Sequence, residues 1–304
     1  MNRFLFTIVS PGLEKLVKTE VESYFPQWKF AYSRPGFLTF KGGSQDVMPH
    51  LWTSFRTGEV VKKLTLEEVK AHKTADTLYW RRDDSFTAPW NVDLESQNIS
   101  KNKSYHIIMM TDPDQFWLGK FRSFEKEGGT ITGVDIDLPE SAPSRAYLKI
   151  AEASSIFDLN FQDQTVVEFG SAPGGAVHYL LNNGATVIGV DPGAMDADIL
   201  KNEKYKHISM PIEKTNRDSF PQKIDWVLSD INLPPSVVVR EIRKIFEEHP
   251  PEMGFILTLK MTKPDFVGRL ENFQMQIKKL GFKETYIRYL PSHKQEVMLL
   301  AKKG

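Results

Sequence analysis

The sequence predicts an α/β protein whose carboxyl-terminal half is a doubly wound, mostly parallel sheet with an antiparallel edge strand, preceded by an α+β region. Three observations carry that expectation. From residue 145 onward, strand-length apolar stretches alternate with stretches that are apolar at helical spacing, and the strands are apolar throughout, as strands covered on both faces must be. Over residues 165–175 a strand runs straight into a glycine-rich turn that opens a helix. The chain then finishes on two consecutive strand-like stretches, 284–290 and 297–302, which suits an antiparallel hairpin at one edge.

Taken in order, residues 1–70 read as strand 4–10, helix 12–24, strands 28–33 and 37–41, helix 45–57 and strand 60–65. Phe4, Phe6 and Ile8 alternate, as do Leu38 and Phe40, whereas Leu13, Leu16, Val17 and Val21 recur at helical spacing. The order βαββαβ is ferredoxin-like. Residues 71–139 are less regular; their clearest strands, 104–111 and 115–122, flank the turn Asp112, Pro113, Asp114 and form a hairpin in a short second module. Turn chemistry over 125–144, with Gly128 and Gly129, marks the boundary before a third domain at 140–304. That domain reads as helix 145–159, strand 165–169, helix 174–183, strands 185–190, 207–210 and 225–230, helix 235–248, strand 254–260, helix 263–280 and the closing hairpin.

Composition removes several functions. The 304 residues include 39 basic and 39 acidic side chains and no cysteine. Without thiols there is no disulfide framework, thiolate zinc site, cysteine-ligated cluster or thiol nucleophile. No histidine or carboxylate cluster has metal-ligand spacing, so no metal is expected. The apolar run at the start is cut short by Pro11, Glu14 and Lys15, and no stretch approaches the roughly 18 to 20 apolar residues that span a bilayer, so a soluble, cytoplasmic protein is expected.

The strongest local signal is the run Glu168, Phe169, Gly170, Ser171, Ala172, Pro173, Gly174, Gly175. Glycines there let a ligand approach backbone N–H groups at the carboxyl edge of the sheet. Twenty-one residues after Gly170, a second strand ends in Asp191, where an acid is placed to take ribose hydroxyls. A dinucleotide site uses the same logic, but Gly-x-x-x-Gly-Gly with an internal proline fits S-adenosylmethionine better than a pyrophosphate cradle.

This run resembles the cofactor loop of the FtsJ-type ribose 2′-O-methyltransferases, typically Asp-Leu-Gly-Ala-x-Pro-Gly-Gly. Those enzymes carry a Lys-Asp-Lys-Glu tetrad. The segment Ala142, Pro143, Ser144, Arg145 to Lys149 is similar to the source of the first lysine; Asp230 stands at the end of the fourth strand, Lys260 at the end of the fifth and Glu296 at the opening of the last. The resemblance narrows to the RlmM-type enzymes, which methylate a cytidine ribose in large-subunit ribosomal RNA, on Ala142 to Arg145, Val190 to Met195 and Leu259 to Met261. It implies a Rossmann-like methyltransferase domain at 140–304, a ferredoxin-like domain at 1–70 and an RNA-binding, THUMP-like module at 71–139. It also implies S-adenosylmethionine as cofactor, held by Glu168, Gly170, Ser171, Ala172, Pro173, Gly174, Gly175, Asp191, Asp230 and backbone near Ile212. The loop departs from the pattern in having Glu168 for aspartate and Ala176 where an aromatic often follows, and Glu213 is the one acid near the expected adenine position.

The chemistry asks for such a tetrad. A ribose hydroxyl is a poor nucleophile at neutral pH and needs deprotonation and in-line placement. Lys260 is expected to be the general base, its pKa depressed by burial and by Lys149, with Asp230 positioning it and Lys149 and Glu296 orienting the acceptor ribose. Arg145, Lys263, Arg288 and Lys294 are expected to meet RNA phosphates. His178 and His293 read as packing or loop residues. Base amino methylation fits less well, because Leu233 separates Asn232 from Pro234 and Pro235 and no aromatic follows; a pyrimidine C5 route needs the missing cysteine.

Overall fold

The computed structural model describes residues 2–72, 76–94 and 96–303. The chain divides into two compact units, one running to Asp135 and the other starting at Ile136.

The first unit is built from β1 (Asn2–Ile8), α1 (Glu14–Tyr24), β2 (Lys29–Arg34), β3 (Phe37–Gly43), β4 (Arg56–Leu64), α2 (Leu66–Ala71), β5 (Thr77–Arg81), β6 (Ser104–Asp112) and β7 (Gln115–Arg122). Among the described residues its strands form one sheet in the order β2, β3, β1, β4, β7, β6, β5. The first four follow the ferredoxin-like order, β1 lying antiparallel between β3 and β4. β4 also pairs with β7, so the sheet runs on across residue 70, where a division was expected. The core on one face gathers Phe6, Ile8, Phe37, Ile107, Met109, Trp117 and Phe121.

The helix expected over 45–57 does not form. Pro49 removes a backbone donor and disfavours helical geometry at Met48. The buried Glu20 of α1 instead takes the loop's donors: its carboxylate accepts from Trp52 N at 2.6 Å and from Thr53 N at 3.0 Å and Oγ1 at 2.5 Å. Two elements of this unit escaped the sequence reading, the short α2, started by the reciprocal Thr65 and Glu68 capping box, and β5, an edge strand parallel to β6.

The second unit comprises α3 (Ala146–Phe157), β8 (Thr165–Phe169), α4 (Gly175–Asn182), β9 (Thr186–Val190), α5 (Ala197–Leu200), β10 (Tyr205–Ile208), β11 (Trp226–Ser229), α6 (Pro235–Phe246), β12 (Gly254–Lys260), α7 (Leu270–Lys278), β13 (Glu284–Arg288) and β14 (Glu296–Lys302). Its sheet runs β10, β9, β8, β11, β12, β14, β13, with β14 antiparallel between two neighbours. The parallel strands are apolar because both faces are covered: Val166, Val167, Phe169, Val187, Val227, Phe255 and Leu257 are fully buried. α6 opens on Pro235, whose missing N–H costs nothing at a helix start, and buries Val238, Val239, Ile242, Ile245 and Phe246 on one face. The helix expected over 263–280 begins instead as a 3-10 turn, Pro264–Arg269, which contains Gly268, and becomes α-helical only in α7.

Candidate active site

Strand order reverses at β8, with β9 on one side and β11 on the other, which opens a crevice at the carboxyl ends of the parallel strands. Four charged side chains expected to be functional reach that edge by different routes. Asp230 follows β11 directly and Lys260 is the last residue of β12. Glu296 is the first residue of β14; because β14 runs antiparallel, its beginning lies at the same edge, and Lys260 and Glu296 are register partners. Lys149 projects from the first turns of α3.

The four close into a ring of ion pairs. Lys149 Nζ lies 2.7 Å from Asp230 Oδ2 and 2.7 Å from Glu296 Oε1. Lys260 Nζ lies 2.7 Å from Asp230 Oδ1 and 2.5 Å from Glu296 Oε2. Each carboxylate thus bridges both lysines, and the quartet sums to zero charge. The side chains keep 9–17% of their exposure, so the ring is desolvated on most sides yet open to a ligand. Burial alone pulls the Lys260 ammonium down, but Asp230 and then Glu296 outweigh it and the net shift is upward. This corrects the expectation of a depressed Lys260: in the free protein the two carboxylates count for more than burial. Glu296 moves the other way, since burial pushes it up but Lys149 and Lys260 hold it below the usual carboxylate range.

Beside the ring lies the glycine loop. Gly170 has φ +82°, and a Cβ there would come within 2.8 Å of the Asp230 backbone carbonyl, so the glycine permits the close approach of the ends of β8 and β11. Gly174 has φ +121°, and Gly175 abuts Ser144, where a Cβ would lie 2.3 Å from Oγ. Ser171 is buried and its Oγ contacts Met195 Sδ at 3.7 Å; Ala172 and Pro173, joined by a cis peptide, complete the turn. Asp191 accepts from Ala172 N at 3.2 Å and Gly193 N at 2.7 Å, which fixes its carboxylate at the end of β9 with lone pairs to spare. Glu168 is buried, Oε2 has no hydrogen-bond partner among the described residues, and burial, reinforced by Asp230 and Asp191, raises its pKa well above the ordinary value. Ile212 is buried in a 3-10 turn after β10, its carbonyl accepting from Thr215 N at 3.0 Å and Oγ1 at 2.8 Å, so its N–H is the backbone group it can offer a ligand. Glu213 is exposed.

The expected phosphate contacts divide. Arg145, Lys263 and Lys294 are exposed, whereas Arg288 is half-buried at the end of β13. His178 bonds Ser141 Oγ and Asn182 Nδ2 on α4. His293 is no exposed loop residue: it is 4% exposed, Nδ1 accepts from Leu290 N at 3.3 Å, and burial, with Lys149 next, drives its pKa down to about 3. The sequence reading also missed Glu152, one helical turn beyond Lys149, which accepts from Ser292 N at 3.1 Å and Oγ at 2.7 Å. The i, i+3 spacing of Lys149 and Glu152 on one helix face was the available signal. Among the described residues no group of three His, Asp or Glu is placed to hold a metal, and no helix is long and apolar enough to cross a membrane.

Comparison with known proteins fits this arrangement. Residues 142–285, which lie within the second unit, match the FtsJ-like methyltransferase family. More particularly, the chain is similar to proteins named Ribosomal RNA large subunit methyltransferase M: 30% identical over 197 residues to that of Aeromonas salmonicida, covering 59% of this chain and 52% of the relative. The Cellvibrio japonicus protein is 31% identical over 225 residues, 66% of this chain and 62% of the relative. That of Pseudoalteromonas translucida is 25% identical over 223 residues, 67% and 61%. The chain thus spans about half to three fifths of the length of the curated relatives it matches.

The methyl donor of such a domain is S-adenosylmethionine. The residues present fit it. Asp191 stands at the end of the second strand with its carboxylate fixed by Ala172 N and Gly193 N, and the buried Glu168 Oε2, in the field of Asp230 and Asp191, has no hydrogen-bond partner among the described residues.

Proposed function

We propose that this chain is an S-adenosylmethionine-dependent RNA ribose 2′-O-methyltransferase that acts on large-subunit ribosomal RNA, at a cytidine ribose. The observation that carries this reading is the closed ring of Lys149, Asp230, Lys260 and Glu296 beside the glycine loop. A neutral hydroxyl acceptor needs a proton acceptor and fixed orientation rather than a covalent nucleophile, and the ring supplies both.

Glu168, Gly170, Ser171, Ala172, Pro173, Gly174, Gly175, Asp191 and Ile212 would hold the donor. S-adenosylmethionine, when bound, supplies an electrophilic methyl carbon on a sulfonium. Lys260 Nζ receives the hydroxyl proton as the oxygen attacks. It must first lose its own proton, and two changes favour that loss: an acceptor hydroxyl that takes over one carboxylate contact, and any further cation at this edge. Asp230 touches both lysines and sets their direction, while Lys149 and Glu296 orient the ribose. Arg145, Lys263 and Lys294, with Arg288 behind them, are placed by this reading along the RNA backbone, and residues 71–139 are read as a THUMP-like element of RNA capture. A ribosomal RNA substrate puts the protein in the cytoplasm.

The test is methyl transfer from labelled S-adenosylmethionine to ribosomal RNA, followed by nucleoside analysis. The expected product is 2′-O-methylcytidine; a base-methylated nucleoside refutes the assignment. Lys260→Ala abolishes transfer while leaving donor affinity within about twofold, and Asp191→Ala weakens donor binding by tenfold or more. Equal losses of donor affinity in both variants contradict the division of roles.

A further inference from the structure

Lys149 and Glu152 lie one helical turn apart on α3 and reach the same loop. Lys149 grips Glu296, while Glu152 Oε2 accepts both the amide and the hydroxyl of Ser292, four residues earlier. All three contacts are desolvated: Glu152 is 3% exposed, Ser292 7% and Glu296 7%. Between them the turn is closed by its own bonds, Tyr289 Oη donating to the His293 carbonyl and Leu290 N to His293 Nδ1. The segment 289–296 is therefore fastened to α3 at two points, and the second is the tetrad itself.

We propose that Glu152 is a positioning residue for methyl transfer: clamped onto Ser292, its carboxylate fixes the turn that delivers Glu296 to Lys149 and Lys260. This rests on the methyltransferase reading of the ring and adds to it a fifth side chain, which touches no tetrad member and needs no contact with substrate. An ionised carboxylate accepts from both Ser292 donors, whereas a protonated one gives up acceptor capacity and needs an acceptor for its own proton. The clamp therefore has a working pH range. Burial pushes the Glu152 carboxyl up to about 7, against the pull of the Ser292 bonds and of Arg145 and Lys149 on its own helix. From the packed turn it meets Ser292 beside His293, which burial keeps neutral, and α4, packed on α3, turns His178 toward Ser141 and Asn182. Because the Ser292 bonds themselves pull this pKa down, losing them while the carboxyl stays buried on α3 raises it further. Ionisation therefore favours the clamped turn, which rising pH through 7 tightens and falling pH loosens, in contrast to global unfolding, which would expose the carboxyl to water.

The test compares the full chain with Glu152→Gln and Ser292→Ala. Glutamine fills the same space, accepts at one oxygen and does not titrate. At saturating donor and RNA, the ratio of wild-type to Glu152→Gln kcat is expected to rise about fivefold between pH 6 and 8; taking the ratio cancels any titration of Lys260 common to both. Ser292→Ala removes one donor, so its pH limb is expected to move upward. Donor affinity stays within about twofold in both variants. A second readout needs no RNA: protection of the Ser292 amide from hydrogen exchange, corrected for intrinsic rate, is expected to fall below pH 7 in the wild type and to be flat in Glu152→Gln. A constant kcat ratio with flat protection overturns the proposal. Absent methyl transfer with a pH-dependent Ser292 amide would sink the methyltransferase reading and leave the clamp standing.

Discussion

Lys260 shows how a charged ring differs from a lone buried lysine. Read from sequence, burial and Lys149 should depress its pKa; the structure places two carboxylates within 2.7 Å, and the sum turns upward. If Lys260 is the base, kcat/KM, which reports the free protein, is expected to climb with unit slope from about pH 7 through 10 without a plateau. A plateau near neutrality measured in that profile would name another base. Gly170 tests the neighbouring contact. Gly170→Ala places a Cβ 2.8 Å from the Asp230 carbonyl at a left-handed φ, a strain of order 1–3 kcal/mol. The expected outcome is a lower thermal midpoint together with loss of both donor binding and turnover, because loop and ring share that backbone contact. Unchanged turnover would mean that β8 and β11 can part without disturbing Asp230.

At the scale of elements, the sequence was most readable where burial is two-sided. Continuous apolar runs and the turn at Gly170 located β8, β9, β11 and β12; Asp230, Lys260 and Glu296 stand at strand ends, but it was the resemblance to the FtsJ-type enzymes that singled them out together with Lys149 on α3. What sequence could not reveal were contacts closed through space. Val47, Leu51 and Phe55 recur four apart and suggest a helix, yet Pro49 and the carboxylate of Glu20, more than thirty residues away along the chain, hold that segment as a loop. Glu152 and Ser292 are 140 residues apart, so their pairing left no local trace. Glu20 also yields a stability prediction. Burial raises its carboxyl to about 7 from 4.5 despite the Thr53 and Trp52 bonds. An acid whose folded pKa is raised binds its proton more tightly when folded, so its stabilising share is full below pH 4.5 and is lost as pH rises through about 7. The unfolding free energy of the wild type minus that of Glu20→Gln, from denaturant titrations, is expected to fall by up to about 3 kcal/mol across that window. A difference independent of pH would show that the three donors keep Glu20 ionised throughout.

At the scale of the whole molecule, the balance of 39 basic and 39 acidic residues bears on how an RNA substrate would be held. Residues 1–140 carry 18 basic and 19 acidic side chains, so neither half offers the broad cationic surface of a nonspecific binder. Residues 240–304 are the exception, with 13 basic against 8 acidic. Exposed Arg145 and Lys263 flank the ring's elements at α3 and after β12, and exposed Lys294 precedes Glu296 by two residues. If these three are the phosphate contacts, reversing all of them to glutamate should raise the KM for RNA at least tenfold at physiological salt. The slope of log KM against log salt should become shallower by roughly 2, since each single-strand phosphate contact contributes about 0.7. Donor affinity should hold, because none of the three belongs to the ring or the glycine loop. Should the triple variant keep the wild-type slope, the grip on RNA lies in the amino-terminal unit, and the carboxyl-terminal domain serves to align one ribose rather than to hold the strand.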